Sequence, residues 1–301
     1  DELRTKRYVP GHYRSFMIYE PKARMISAAP FRDRVVHHAL CRHLERIFEP
    51  TFIFDSYACR RGKGTHAALN RFTAFARRNR YVLKCDVRKF FPSIDHAILK
   101  MLVARKIKDP DVLWLVERIV DGSNAQEPVY ELYPGDNLFT PLERRRGLPI
   151  GNQTSQFFAN VFLNPLDHFV KEVLRAGCYI RYVDDFVIFS DNKTWLSEVR
   201  ERCRDFLTTL RLRLHSNKST ISRVADGTRF LGFGVFPTHR LLVRENTTRM
   251  RRRMRWMQEA FARGEISTEE VRHRIVSWIG HARHGDTWNL RKELISGTKF
   301  V

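Results

Sequence analysis

The sequence predicts an α+β fold, with an antiparallel sheet in the middle of the chain and helical flanks. Three observations predict it. Short apolar runs alternate with stretches of helical periodicity, neighbouring runs lie close enough to close hairpins, and the chain after Val243 reads as helix throughout. With 301 residues, 43% of them apolar and 12% aromatic, the chain can bury a sizeable core of two or three domains and is no disordered tail.

Taken in order, Phe16–Tyr19 and Arg24–Ser27 read as short strands around a Glu20-Pro21-Lys22 turn, and a helix covers Phe31–Phe48. A second helix is expected over Thr65–Asn79. Tyr81–Val87 is a buried-strand run, and Asp95 caps a helix carrying Ile98, Leu99, Leu102 and Val103. Residues 121–146, with Pro134-Gly135, read as an irregular excursion or a hairpin. After the Gly147–Gly151 turn, Phe157, Phe158, Val161, Phe162, Leu166, Phe169, Val170 and Val173 keep helical spacing, with a break expected at Pro165. Cys178–Ser190 is strand, turn, strand. Trp195, Leu196, Val199, Cys203, Phe206 and Leu210 are helical, and Arg229–Phe236 with Leu241–Val243 forms a hairpin across Pro237-Thr238-His239.

Lys and Arg total 54 against 33 Asp and Glu, a net charge of +21 that points to a polyanion. The excess is uneven. Residues 1–100 carry 21 basic and 9 acidic side chains, residues 101–239 carry 19 and 17, and residues 240–301 carry 14 and 7. Two basic flanks around a nearly neutral middle suit an anion gripped from both sides with carboxylate chemistry between. A solvated basic surface is the plainer alternative. Five cysteines, no two closer than eighteen positions, fit neither a disulfide framework nor a paired-cysteine zinc site, and the expected setting is a reducing cytoplasm. The longest uncharged stretch, Gly147–Leu166, is interrupted by Asn152, Gln153, Thr154, Ser155, Gln156 and Asn160, so no membrane span is expected. The first residues are too charged for a signal peptide, and the chain opens on Asp1 rather than Met, so a preceding piece is expected.

Chemistry concentrates in Tyr182-Val183-Asp184-Asp185, set between the apolar runs Cys178–Tyr182 and Phe186–Phe189. Adjacent aspartates are common in solvated turns. Asp86 is different, because it ends a buried-looking strand and precedes Phe90-Phe91, where an unpaired carboxylate is costly. Were the two strands neighbours, Asp86, Asp184 and Asp185 would form the carboxylate cluster that two hard divalent cations about 3.5–4 Å apart require.

On these residues the sequence resembles the reverse transcriptases. Lys84–Phe91 is similar to the first metal motif of the palm and Tyr182–Asp185 to the second. Leu214-His215-Ser216-Asn217-Lys218 and Phe230-Leu231-Gly232-Phe233 are similar to the motifs that follow, in the family's order and spacing. Glu20-Pro21-Lys22 with Arg24, Asp33-Arg34 and Ser56–Arg60 resemble the fingers motifs of the bacterial intron and retroelement branch. Within it, Ile150-Gly151-Asn152-Gln153-Thr154-Ser155-Gln156 resembles the pattern of diversity-generating retroelements, where intron-type relatives have Gln before the Gly and Pro after the Ser. Ser277–Ala282 and Trp288–Leu290 resemble that group's thumb end. The resemblance also implies a leader of a few dozen residues before Asp1, and no maturase or endonuclease extension is expected after Val301.

The resemblance implies a right-hand polymerase with fingers over residues 1–80, an antiparallel-sheet palm over 81–236 containing the 121–146 excursion, and a primer-grip hairpin and helical thumb over 237–301. Asp86 and Asp184 would ligate two Mg²⁺ ions, with Mn²⁺ as a substitute, and Asp185 would be a weaker or outer ligand. Lys218 would be the general acid for departing pyrophosphate, an ordinary solvated lysine being the competing reading. Lys22 and Arg24 would clamp the incoming deoxynucleoside triphosphate. Phe91 would pack under its sugar and exclude a 2′-hydroxyl, unless it is core like Phe90. Gln156 would lie near the templating pair, against a reading as a helix cap, and Ile150 and Gln156 would set fidelity.

Met250, Met254, Met257 and Phe261 recur at helical spacing as a packing stripe, leaving Arg251, Arg252, Arg253 and Arg255 to grip nucleic-acid backbone. Expected partners are an RNA template, a DNA or RNA primer, the cDNA hybrid and a small basic accessory protein, in the cytoplasm of a bacterial, archaeal or phage-infected cell. The expected role is error-prone copying of a template-repeat RNA. A retron-like or defence-associated enzyme is the alternative, and a silent RNA-binding scaffold is disfavoured by the intact carboxylates. The twelve histidines show no ligand spacing.

Overall fold

The computed structural model describes residues 1–19, 23–124, 126–298 and 300, so the expected Glu20-Pro21-Lys22 turn, Lys22 included, lies outside the described residues. Two compact units are present. The first comprises Asp1–Gly64, Leu83–Ile188 and Asn192–Ile221, and the second Thr65–Val82, Phe189–Asp191 and Ser222–Val301.

Strands β1 (Arg14–Ile18) and β2 (Arg24–Ala28) pair antiparallel with Phe16 opposite Ile26. Helix α1 (Phe31–Phe48) has the expected bounds and buries Leu40, Cys41, Leu44 and Phe48 at helical spacing. Helix α2 (Thr65–Ala76) stops short of Asn79, whose side-chain amide instead donates to the Phe75 carbonyl at the end of the helix. After β3 (Tyr81–Asp86) come a short helix α3 (Phe90–Ser93) and α4 (His96–Ala104), where the Asp95 carboxylate accepts from the Ile98 amide as expected. Helix α5 (Pro110–Asp121) was not foreseen, although Asp109 before Pro110 is a cap-and-first-turn signature. Beyond Asp121, the described residues up to 146 are irregular apart from α6 (Thr140–Glu143).

Helix α7 (Gln153–His168) corrects the break expected at Pro165. It runs straight through the proline and changes only beyond it, in a π-helical turn over Phe169–Val173. A proline inside a helix costs about 3 kcal/mol. Burial of Phe157, Phe158, Val161, Phe162, Leu163 and Leu166 outweighs that, each large side chain contributing about 2 kcal/mol. Strands β4 (Tyr179–Tyr182) and β5 (Asp185–Ser190) form the expected hairpin, followed by α8 (Lys193–Thr209) and the unexpected strand β6 (Thr220–Arg223). The sheet order is β4–β5–β3–β6. In the first unit α7 is the central helix, packed on α1, α4 and α8, with the Phe48 ring edge-on to Phe157 at 5.7 Å.

In the second unit the expected strand Arg229–Phe236 is two strands. Leu231 and Gly232 take left-handed backbone (φ 47° and 88°) and fold it sharply. The result is a three-stranded antiparallel sheet of β7 (Thr228–Phe230), β8 (Phe233–Val235) and β9 (Arg240–Leu242), so only the β8–β9 half of the expected hairpin stands. Helices α9 (Arg244–Ala262), α10 (Thr268–Ala282) and α11 (Trp288–Ser296) complete the chain, and Met250, Met254 and Met257 form a core with Val271 and Leu294. The methionine stripe is therefore packing. Among the described residues no helix is long and apolar enough to cross a membrane, and the five cysteines are free.

Candidate active site

Strands β3 and β5 are neighbours in the sheet, which brings the ends carrying the carboxylates together. Asp86 is the last residue of β3, Asp185 the first of β5, and Asp184 lies in the intervening turn from β4. Tyr182 pairs with Asp185, so Val183 and Asp184 must reverse the chain in two residues. Val183 does so at φ 57°, a strained conformation for a β-branched side chain that costs roughly 1–2 kcal/mol. The Asp184 carboxyl is pushed up to about 6 by burial, then by the like charges of Asp185 and Asp86, with Arg24 opposing.

Two ammonium groups answer the other carboxylates. Lys218 Nζ lies 2.8 Å from Asp86 Oδ2, and Lys84 Nζ lies 4.0 Å from Asp185 Oδ1. Lys218 reaches Asp86 because the chain before it pairs with the segment after β3: the His215 amide donates to the Asp86 carbonyl and the Arg88 amide to the Arg213 carbonyl, each at 2.8 Å. Among the described residues no group of three or more His, Cys, Asp and Glu side chains is disposed to hold a metal ion as it stands. The donor chemistry nonetheless fits a hard divalent cation. The Asp184 carboxyl is raised by burial and then by the charges of Asp185 and Asp86, and lysines supply positive charge at those two.

Arg24 is exposed on β2, and its charge acts on Asp184. Phe91 is half-buried while Phe90 is core, their rings 5.4 Å apart, so only Phe91 keeps an accessible face. The Ile150 carbonyl accepts from the Ser27 amide, and Asn152 bonds both the Ala29 amide and the Ser27 carbonyl, locking the 150–152 loop to β2. Gly151 has φ 121°, and a Cβ there would stand 2.9 Å from Ile26 Cγ2, so glycine is required on both counts. Gln156 is exposed on the first turn of α7, and its side chain makes no cap. Arg251, Arg252, Arg253 and Arg255 are exposed on α9, with Arg251 paired to Glu293.

Two features escaped sequence reasoning. A cavity of about 610 Å³ is lined by Arg42, Arg46, Arg60, Arg61, Phe52 and Phe157. Beneath the carboxylate turn, the fully buried Arg181 pairs in a fork with the fully buried Asp167, Nε to Oδ1 at 2.8 Å and Nη2 to Oδ2 at 2.7 Å. Burial works against its charge, but Asp167 outweighs that and raises its pKa. An arginine inside the apolar run Cys178–Tyr182 was the available signal.

Residues 18–235 match the family described as reverse transcriptase (RNA-dependent DNA polymerase). The chain is 26% identical over 284 residues to protein YkfC of Escherichia coli K12, covering 80% of this chain and 70% of that protein. It is also 26% identical over 174 residues to the group II intron-encoded protein LtrA of Lactococcus lactis, covering 57% of this chain and 27% of that protein. Apo telomerase from Candida tropicalis has a similar fold, with a TM-score of 0.54 at 11% identity over 75% of this chain and 47% of that one. The chain thus spans less than half of the telomerase and about a quarter of the intron protein.

Proposed function

Because the chain belongs to the reverse transcriptase family, we propose that it copies an RNA template into DNA by nucleotidyl transfer at Asp86, Asp184 and Asp185. The observation that carries this reading is that Asp86 and Asp185 lie at ends of the neighbouring central strands β3 and β5, where burial first and then their two like charges raise the Asp184 carboxyl to about 6. Bound there, Mg²⁺ would lower the pKa of a primer 3′-hydroxyl and neutralise phosphate charge. Asp86 and Asp184 would hold it, with Asp185 as a weaker ligand. Arg24, with Lys22, would bind the triphosphate of a deoxynucleotide, and Phe91 would meet its sugar. Lys218 is already beside Asp86 and is placed in the reading to protonate pyrophosphate. Fingers over 1–80, palm over 81–236 and thumb over 237–301 follow from the same reading, with Arg251, Arg252, Arg253 and Arg255 on the hybrid backbone.

The finer role is error-prone copying of a template repeat in a diversity-generating retroelement, with a small basic accessory protein as partner. Ile150 and Gln156, flanking a loop bonded to β2, support it. The match to an intron-encoded protein favours a second reading, a faithful intron-type enzyme. Primer extension on one RNA template containing all four bases, with sequencing of the product, separates them. Errors concentrated at template adenines support the first, an even and low error rate the second, and no RNA-templated product overturns both.

A further inference from the structure

We propose that Arg181 is a positioning residue for nucleotidyl transfer, setting through the Val183 carbonyl where the Asp184–Asp185 turn presents its carboxylates. The proposal rests on the active-site reading above.

Alternation along β4 puts Tyr179 and Arg181 on one face, and the helical repeat puts Asn160 and Asp167, two turns apart, on one face of α7. These four side chains meet with no solvent exposure beyond 2%. Asp167 Oδ1 accepts from the Tyr179 hydroxyl at 2.7 Å as well as from Arg181 Nε. That pairing alone would satisfy a buried charge. Arg181 does more: its Nη1 donates to Asn160 Oδ1 at 3.1 Å and to the Val183 carbonyl at 3.0 Å. Four of its five N–H groups are thereby directed, three into α7 and one into the catalytic turn.

The recipient of that last bond is the strained residue of the turn, next to Asp184. A left-handed valine persists only where its surroundings over-determine it. Arg181 is itself clamped, since its amide donates to the Asp55 carbonyl and its carbonyl accepts from the Tyr57 amide, both at 3.0 Å. Asn160 is tied in turn to the Ala58 carbonyl at 2.9 Å. A rigid path therefore runs from α7 through a planar guanidinium to the backbone beside the carboxylate. Lysine, a point charge, could keep Asp167 but could not serve Asn160 and Val183 in the same fork.

Two variants test it, Arg181→Lys and the apolar replacement Arg181→Met with Asp167→Leu and Tyr179→Phe, which removes the charge pair and its hydroxyl partner together and leaves Asn160 bonded to the Ala58 carbonyl. Cooperative melting and the Kd for a primed RNA template are measured beside steady-state incorporation. The expected result is a kcat lower by about 100-fold, as for a misplacement of about 1 Å. KM for the deoxynucleotide and the RNA Kd should stay within about threefold of wild type, since positioning acts on the transfer step. A folded variant of either kind with kcat within threefold of wild type overturns the proposal. Loss of cooperative melting in both overturns it in favour of a purely structural role, because lysine keeps the charge pair. Wild-type protein that extends no primer indicts the active-site reading instead.

Discussion

At Asp184 the carboxyl is crowded by burial and two like charges, so removing its charge relieves repulsion while deleting a proposed metal ligand. Asp184→Asn is expected to abolish incorporation yet leave RNA affinity within about twofold, because affinity comes from the basic flanks. Primer extension and filter binding on one preparation check this, and retained extension sinks the assignment. Phe91 offers a second test, since its ring is half-exposed whereas Phe90 is core. Phe91→Val is expected to admit ribonucleotides with a smaller loss of deoxynucleotide use, read as the ratio of the two kcat/KM values. Equal loss of both with a lowered Tm would make Phe91 a packing residue.

The loop from Gly147 to Asn152 and the first turn of α7 act as one element, because the loop is bonded to β2 while the helix carries Gln156. Gly151→Ala places a methyl 2.9 Å from Ile26 and forces alanine to φ 121°, so a loss of roughly 1–3 kcal/mol in chemical denaturation is expected. An unchanged midpoint would mean that the loop can shift off β2. Ile150→Gln with Gln156→Pro introduces the intron-type residues. The proline removes a long bond, 3.4 Å from the Gln156 amide to the Asn152 carbonyl, and crowds that carbonyl in the first turn of the helix, a cost of at most about 3 kcal/mol, so cooperative melting is checked first. Misincorporation should fall more opposite adenine than opposite other bases, since discrimination by closure is weakest where the pair has fewer hydrogen bonds. Product sequencing showing equal improvement at all four bases would remove these residues from the explanation.

For the molecule as a whole, a net charge of +21 makes affinity for RNA a salt-dependent quantity. Arg252 and Arg253 are exposed on α9, on faces turned away from the methionine core. If they contact phosphates, Arg252→Gln with Arg253→Gln should flatten the slope of log affinity against log salt by about 2 for a primed hybrid, uniformly across sequences. A slope equal to wild type in a salt titration would reduce that patch to a solvated surface.

The α+β composition, the bounds of α1, the Asp95 cap and the β4–β5 hairpin were legible in the sequence because each depends on local periodicity or turn chemistry. Asp86 drew attention for a different reason: a carboxylate at the end of an apolar strand is an anomaly that asks for a cation. Pro165 misled because helix-breaking is a local rule, and α7 is held by burial on almost every side. The fold of Leu231-Gly232 misled because one apolar run reads the same as two short strands. That the charges of Asp86 and Asp185 both act on Asp184, that Lys218 reaches Asp86, and that Arg181 spans from Asp167 to Val183 were decided only by tertiary structure. Those contacts join residues from 2 to 132 positions apart, and the longer ones depend on strand order and helix packing, which periodicity does not encode.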